Sequence, residues 1–192
     1  RARGQHLPSR QNLATILLFQ KSEPETKERL VVKDSRIEKL AEVLVDYSVA
    51  VRPGDRILIT GDTPAEPLLK AVYIRTLQAG GHPFLVPSFP DLKTQVYRIA
   101  SDAQLEHVPE PVKLVFETYD VAISISGLLN TKALSNIDPQ RMIIQQRAQA
   151  GLMKTYVERA ARGELRWTTT LFPTEAFAQD AEMSLDEFEN LV

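Results

Sequence analysis

The chain alternates short apolar runs with longer segments of helical periodicity. Apolar, β-branched runs lie at residues 56–60, 83–86, 121–125 and 167–172, and each has the length of one strand. Between them, apolar residues recur three and four positions apart, as on one face of an amphipathic helix. This alternation predicts an α/β fold: an open, mostly parallel sheet of about four strands with helices on both faces.

Capping residues and turn formers mark the predicted helix ends. Serines at three positions have the S-x-x-E or S-x-x-Q spacing of a capping box: Ser35, Ser101 and Ser184. Asp91 and Asp138 are further candidate N-caps, and Pro139 follows Asp138 where proline fits the first helical position. We expect a first helix from residue 35 to about 47, a helix after residue 63 that ends at Gly80–Gly81, and one from Asp138 to Gly163.

The same periodicity predicts which side chains are buried. The helix after the first strand has an apolar stripe formed by Leu68, Leu69, Val72, Tyr73 and Leu77. Later helices carry further apolar residues: Leu92, Val96, Ile99, Met153, Tyr156 and Val157. The aromatic residues Trp167 and Phe172 are predicted to pack in the core.

Composition narrows the class of protein. The 192 residues are 43% hydrophobic and 25% charged, as in an ordinary globular domain. The net charge of −2 gives no electrostatic reason to expect binding to nucleic acid or to an anionic membrane. The chain has no cysteine, which excludes disulfides and thiolate metal sites and fits a reducing compartment. We therefore expect a cytoplasmic protein without nucleic-acid or membrane partners.

Residues 1–34 are predicted to be a flexible or artificially added leader. The first 21 residues are rich in arginine and contain no acidic residue. The apolar run Ile16–Phe19 is too short for a secretory signal or a membrane span, and the serine-rich amphipathic pattern of a transit peptide is missing. Residues 35–192 are then the folded domain.

The histidines and acidic residues show no metal-ligand spacing. His6, His82 and His107 lack partners at the spacing of zinc peptidase motifs. Glu106 and His107 are adjacent, so on a helix they would diverge by about 100°. The acidic residues near the end fit no calcium loop and are read as a solvated helix face: Asp180, Glu182, Asp186, Glu187 and Glu189.

Two loops lie where an open α/β sheet usually binds ligands. In the first, Gly61–Pro64, a single glycine is not a dinucleotide fingerprint, and Pro64 and Pro67 lack the N–H groups that a phosphate would use. We therefore favour Asp62 or Thr63 as a plain N-cap over a phosphate cradle.

The second loop, Ser126–Lys132, offers Ser126, Asn130 and Lys132, for which capping and turn formation are favoured over ligand contact. Ser124 and Ser126 are not in a G-x-S-x-G nucleophile elbow. No catalytic residue, cofactor ligand or metal ligand is assigned in this chain.

Two segments resemble a known enzyme family. RIEKLAEVLVDYSVAVRPGDRILITG and the residues up to Val86 resemble the amino-terminal half of the thermophilic metalloaminopeptidases, the family of aminopeptidases T and S. The terminal segment RWTTTLFPTEAFAQDAEMSLDEFENLV is similar to the family signature W-x(n)-P-T-x-A-x-A-Q-x-A-x-M-S-L-x-E-[YF]-E. The matching residues are Trp167, Pro173, Thr174, Ala176, Ala178, Gln179, Ala181, Met183, Ser184, Leu185, Glu187, Phe188 and Glu189.

The resemblance implies a two-domain exopeptidase that removes amino-terminal residues from peptides. Paired divalent metals, zinc or cobalt, would polarise the scissile carbonyl and activate water. The family's metal ligands lie in its carboxy-terminal half, so none can be assigned to a position here. The resemblance also implies a homodimer. On this interpretation residues 35–192 are an amino-terminal domain without the metal domain, and the helix at Ser184 ends where the chain would cross to that domain.

Two alternatives from other functional classes stay open. The domain could be a stand-alone module that binds a nucleotide or metabolite at the loops of Gly61 and Ser126. It could also be a purely structural dimerisation domain.

Overall fold

Four parallel strands form the centre of the structure, a computed structural model that describes residues 34–192. They are β1 (Arg56–Asp62), β2 (His82–Ser88), β3 (Val121–Ser126) and β4 (Arg166–Leu171). Their order is β2-β1-β3-β4, and every neighbouring pair is parallel. The predicted fold class is therefore confirmed. The chain reverses direction across the sheet after β2, which places the topological switch point between β1 and β3.

Helices connect the strands at the positions that the sequence predicted. In chain order they are α1 (Ser35–Glu42), α2 (Glu66–Gln78), α3 (Pro90–Ile99), α4 (Asp102–Glu106), α5 (Glu110–Thr118), α6 (Pro139–Ala161), α7 (Glu175–Asp180) and α8 (Leu185–Leu191). A π-helical segment, Val43–Ser48, continues α1, and a 3-10 turn, Thr63–Ala65, precedes α2.

Most of the predicted helix starts are correct. Ser101 and Ser184 form complete capping boxes, and the carboxylate of Asp138 accepts a hydrogen bond from the amide of Gln140. The other two starts differ by one or two residues. Asp34, not Ser35, caps α1, because its carboxylate accepts a bond from the amide of Arg36 at 2.9 Å.

The start of α3 also lies earlier than predicted. Asp91 is in the first turn, and the N-cap is Phe89. Pro90 occupies the first helical position, where its fixed φ favours helical backbone and moves the start forward. The predicted cap was therefore wrong, although the helix itself is present.

The main core lies on one face of the sheet. The inward-facing residues of the two central strands are Ile57, Ile59, Val121, Ile123 and Ile125, and each is at most 1% exposed. They pack against buried residues of α1, the π-helical segment and α2: Ala41, Leu44, Val45, Leu68, Leu69 and Val72. Phe172 packs against the same cluster, as predicted. This core fixes the register of β1 and β3, because a shift by one residue would turn every apolar side chain outward.

Residues 34–192 cover the opposite face only in part. Helices α5 and α6 lie over its amino-terminal half, where Phe116 and Tyr156 contact each other at 5.9 Å between ring centroids. We call the strand residues on this side the open face; its members are Leu58, Thr60, Asp62, Phe84, Val86, Ser88, Ala122, Ser124, Ser126, Trp167, Thr169 and Leu171. Ser124, on a central strand, is exposed. Helices are thus present on both faces, as predicted, but they do not close the second one.

Several predicted core residues are exposed. Trp167 is 51% exposed, which corrects its placement in the core, and Leu77 is 53% exposed. Other apolar side chains of α3 and α6 are exposed as well: Leu92, Val96, Ile99, Met153 and Val157. Helix α3 contributes to a cluster away from the main core. Its Tyr97 joins Leu105 and Ile137 in a separate small cluster.

Burial of Tyr156 predicts a loss of stability at high pH. Burial raises the pKa of Tyr156 to about 12, whereas tyrosine in an unfolded chain has a pKa of about 10. The unfolded state therefore ionises first, so the stability is fully present below about pH 10 and is lost as the pH rises towards 12. Tyr156→Phe should reduce this alkaline fall in the free energy of unfolding, measured by urea titration from about pH 8 to 11.

The control removes a hydroxyl that is in water in both states. Tyr47 is 85% exposed, and Tyr47→Phe should leave the alkaline fall unchanged. A part of the fall should survive in Tyr156→Phe, because burial also raises the pKa of Tyr97. Equal slopes in the Tyr156 and Tyr47 variants would contradict the prediction.

Candidate functional site at the carboxyl edge of the sheet

The two loops singled out in the sequence meet at the switch point. β1 ends at Asp62 and β3 at Ser126. The amide of Gly127 donates to the Asp62 carboxylate at 2.9 Å, and the Ser126 hydroxyl donates to the same oxygen at 3.4 Å. The tertiary structure therefore brings the loop Gly61–Pro64 next to the loop Ser126–Lys132. The Asp62 carboxylate of the first loop accepts the hydrogen bonds that Ser126 and Gly127 of the second loop donate.

Asp62 does not have the plain capping role that we predicted. It is the N-cap of the 3-10 turn Thr63–Ala65, but its side chain makes no hydrogen bond to that turn. Pro64 lies in the first turn and has no N–H to donate. The carboxylate instead reaches across to the neighbouring strand, and α2 begins after Ala65 without a side-chain cap. Asp62 therefore links β1 to the loop after β3.

Two glycines allow the backbones to approach closely at this edge. A Cβ on Gly61 would lie 2.7 Å from the carbonyl oxygen of Ile125 and 2.8 Å from Leu69 Cδ2. A Cβ on Gly127 would lie 3.1 Å from both the Cβ and the backbone nitrogen of Ala65. A side chain at either position would therefore press on its neighbours, so the two loops are packed closely at this edge. The Asp62 carboxylate would repel an anion such as a phosphate.

The rest of the second loop forms a turn, as predicted. The amide of Lys132 donates to the side-chain oxygen of Asn130 at 2.9 Å, a local turn of the kind that asparagine stabilises. Farther along, Thr174 donates from its hydroxyl to the carbonyl of Leu128 at 2.7 Å and also accepts the amide of Phe177 at the start of α7. The bond from Thr174 to Leu128 was missed in the sequence, because only the capping of α7 by Thr174 is visible in a local pattern.

The two described histidines belong to no group of possible metal ligands. His82 is the exposed first residue of the edge strand β2, and His107 is the exposed residue that ends α4, whereas His6 lies outside the described residues. Within residues 34–192, no group of three or more histidine, aspartate or glutamate side chains could hold a metal ion.

The terminal acidic residues are used at helix ends. The Glu187 carboxylate accepts a hydrogen bond from the amide of Ser184 at 2.9 Å and another from the Ser184 hydroxyl at 2.8 Å. These bonds hold the pKa of Glu187 below its usual value. Glu189 forms an ion pair with Arg36 at 3.0 Å, which ties α8 to α1. These two carboxylates therefore stabilise the terminal helix. In the described part of the chain, no helix is long and apolar enough to cross a membrane.

Comparison with solved structures supports the fold. Wild-type AmpT from Thermus thermophilus matches with a TM-score of 0.67 and 19% identity, over 82% of this chain and 41% of that chain. The chain thus spans about two fifths of the length of AmpT, and at this identity the likeness shows a shared fold.

Two further structures match too weakly to support an argument. The CurK enoyl reductase has a TM-score of 0.30, with 15% identity over 80% of this chain and 57% of its own. The L-tryptophan dehydrogenase from Nostoc punctiforme has a TM-score of 0.26, with 12% identity over 82% and 58%. No curated protein sequence matches the chain.

The family assignment rests on the sequence as a whole. The pattern of the thermophilic metalloprotease family (M29) matches residues 33–192, which is most of the chain. This range contains both segments in which the resemblance was found. The resemblance is confirmed, and the chain belongs to the thermophilic metalloprotease family (M29).

Proposed function

We propose that this chain is the amino-terminal domain of a metal-dependent aminopeptidase, which removes amino-terminal residues from peptides. The observation that carries the proposal is the family match over residues 33–192. The shared fold with AmpT, of which the match covers only 41%, supports the assignment to one part of a longer enzyme.

In this proposal the metals are held outside the described residues. Two divalent ions, zinc or cobalt, would need several carboxylate or imidazole ligands converging on one place. Residues 34–192 offer no such group, and the residues closest to the ligand position of the fold, Asp62 and Ser126, already bond to each other. The described residues do not fit a dinuclear site, so we assign them no step of the hydrolysis.

The same reasoning disfavours a nucleotide-binding module. Such a module needs free backbone N–H groups at the switch point, and the Gly127 amide is already bound to Asp62 at 2.9 Å. We therefore propose a scaffold role for this domain. For the whole enzyme we propose a peptide as the substrate, a homodimer as the assembly and the cytoplasm as the location.

The test is an activity assay of the purified chain. We expect no zinc- or cobalt-stimulated release of leucine from a leucyl anilide, because residues 34–192 offer no group of side chains that could hold the metal ions. Calorimetric titration with either metal should show no pair of tight sites. A cooperative thermal unfolding transition is the control that the chain is folded. Metal-dependent turnover by the folded chain, or two tightly bound ions, would refute the proposal.

A further inference from the structure

The two edges of the sheet are built differently. On β2, the amide of His82 donates towards β1, to the carbonyl of Asp55 at 2.8 Å. Because amides alternate along a strand, the nitrogens of Pro83, Leu85 and Pro87 point to the outer edge. Two of these three have no hydrogen to donate, since they are prolines. This edge is thereby protected against pairing with another strand.

The outer edge of β4 has no such protection. The amides of Arg166 and Phe172 donate towards β3, at 3.1 Å and 2.7 Å. The alternation then directs the N–H and C=O groups of Trp167, Thr169 and Leu171 outward. None of these three is proline or charged, and within residues 34–192 no strand pairs with this edge. Among the described residues, the hydrogen bond that reaches one of these groups is a long one of 3.5 Å, from the Thr170 hydroxyl to the Leu171 carbonyl.

The exposed side chains of β4 are arranged symmetrically about Thr169. Trp167 lies two residues before it and Leu171 two residues after it, all on the open face. Trp167 is 51% exposed and Leu171 40% exposed. An antiparallel copy of the same strand, centred on Thr169, would place each tryptophan opposite the leucine of the other copy.

We propose that β4 pairs with β4 of a second copy of this chain, antiparallel and about a twofold axis at Thr169. The pairs Thr169–Thr169, Trp167–Leu171 and Leu171–Trp167 each exchange two backbone hydrogen bonds and join two four-stranded sheets into one. The interface is self-complementary, as a twofold dimer requires, and the outward positions bring no like charges together. The inference rests on the homodimer proposed above and adds the surface through which its two copies pair.

Residues 172–192, which follow β4, are poorly placed to cover this edge with a parallel strand. Right-handed crossovers to the outer side of β4 need their helix on the face covered by α6, as in the connection from β3 to β4. Helix α8 is instead tied to α1, on the opposite face, by the ion pair of Glu189 with Arg36 at 3.0 Å. Within residues 34–192 nothing covers this edge, and we take a second copy as its occupant because the exposed side chains of β4 are self-complementary.

Disulfide trapping tests the pairing directly. The chain has no cysteine, so in Thr169→Cys any disulfide dimer must join the two positions 169. Opposed residues in a hydrogen-bonded antiparallel pair have Cα atoms about 5.5 Å apart, which suits a disulfide. The control is Ser124→Cys, which is exposed on the same face but lies one strand farther inside. Under mild oxidation of the full chain, we expect Thr169→Cys to form dimers at least tenfold faster.

Sedimentation velocity of the unmodified chain tests whether a dimer forms at all, independently of the surface through which it forms. Pairing of two six-residue strands buries less surface area than a standard protein–protein interface, so we expect a reversible, concentration-dependent dimer. Thr169→Lys should abolish it by placing two cations opposite each other, while Ser124→Lys should not.

Equal disulfide rates in the two cysteine variants would overturn the proposed surface, even if a dimer forms. A monomer at every concentration would overturn both the surface and the homodimer but would leave the peptidase assignment intact.

Discussion

Replacing Gly61 with alanine is expected to lower the free energy of unfolding by about 2–4 kcal/mol. The added Cβ would lie 2.7 Å from the Ile125 carbonyl oxygen and 2.8 Å from Leu69 Cδ2, both shorter than a normal contact. The first of these is backbone of the paired strand, so the clash cannot be relieved by a side-chain rotation. β1 and β3 must move apart, which disturbs both the core and the switch point.

Gly151→Ala is the matched control. A Cβ there meets no atom within 4 Å, and the residue lies inside α6. Because alanine favours helix over glycine, this variant should gain up to about 1 kcal/mol. Urea unfolding followed by circular dichroism measures both variants. A Gly61→Ala variant as stable as the parent chain would show that the two strands can separate without cost.

Arg166→Ala is expected to lower the free energy of unfolding by a similar amount, about 2–4 kcal/mol. The guanidinium donates to the carbonyls of Val49 and Ala50 at 3.0 and 2.5 Å and to the Asp55 carboxylate at 2.5 Å. The side chains of Arg166 and Asp55 are only 24% and 14% exposed. Without the cation, the two carbonyls lose this donor, and the mostly buried Asp55 carboxylate keeps only the bond from the Arg52 amide at 2.6 Å.

The loss of stability in Arg166→Ala should also affect the residues that follow the π-helical segment Val43–Ser48. Ala50 has a φ of +45°, a conformation that is unfavourable for alanine, and the bond from Arg166 holds its carbonyl in place. Hydrogen exchange should therefore increase first around residues 49–51.

The control for Arg166→Ala is Arg162→Ala. Arg162 forms an ion pair with Glu164 at 2.7 Å, but the two side chains are 55% and 48% exposed. Removal of this exposed pair should leave the urea midpoint almost unchanged. Equal effects of the two substitutions would show that the burial of the Arg166 network adds nothing to stability.

The polar contacts at the switch point could be predicted only in part. The loops of Gly61 and Ser126 were found because each follows an apolar strand, and the rule for open α/β sheets places such loops at one edge. That Asp62 binds Gly127 instead of capping its own helix could not be predicted. The bond joins residues 65 positions apart and depends on the register of β1 against β3.

Burial was predicted less well than secondary structure. The stripe of α2 is correct at Leu68, Leu69 and Val72, but periodicity identifies only which face of a helix is apolar. It does not show whether a neighbour covers that face. Trp167 contacts Tyr156 of α6 at 6.0 Å between ring centroids, but it is exposed because it lies on the edge strand β4, whose outer side pairs with no strand in residues 34–192.

By itself, the sequence determined the order of strands and helices, most of their ends and the family, because local periodicity, capping side chains and a long signature are all visible in one dimension. Only the tertiary structure decided which strand edges are paired, which carboxylate closes the switch point and which apolar side chains face water. The physical reason is that these properties depend on contacts between residues far apart in the chain, whose energies act only once the sheet has brought them together.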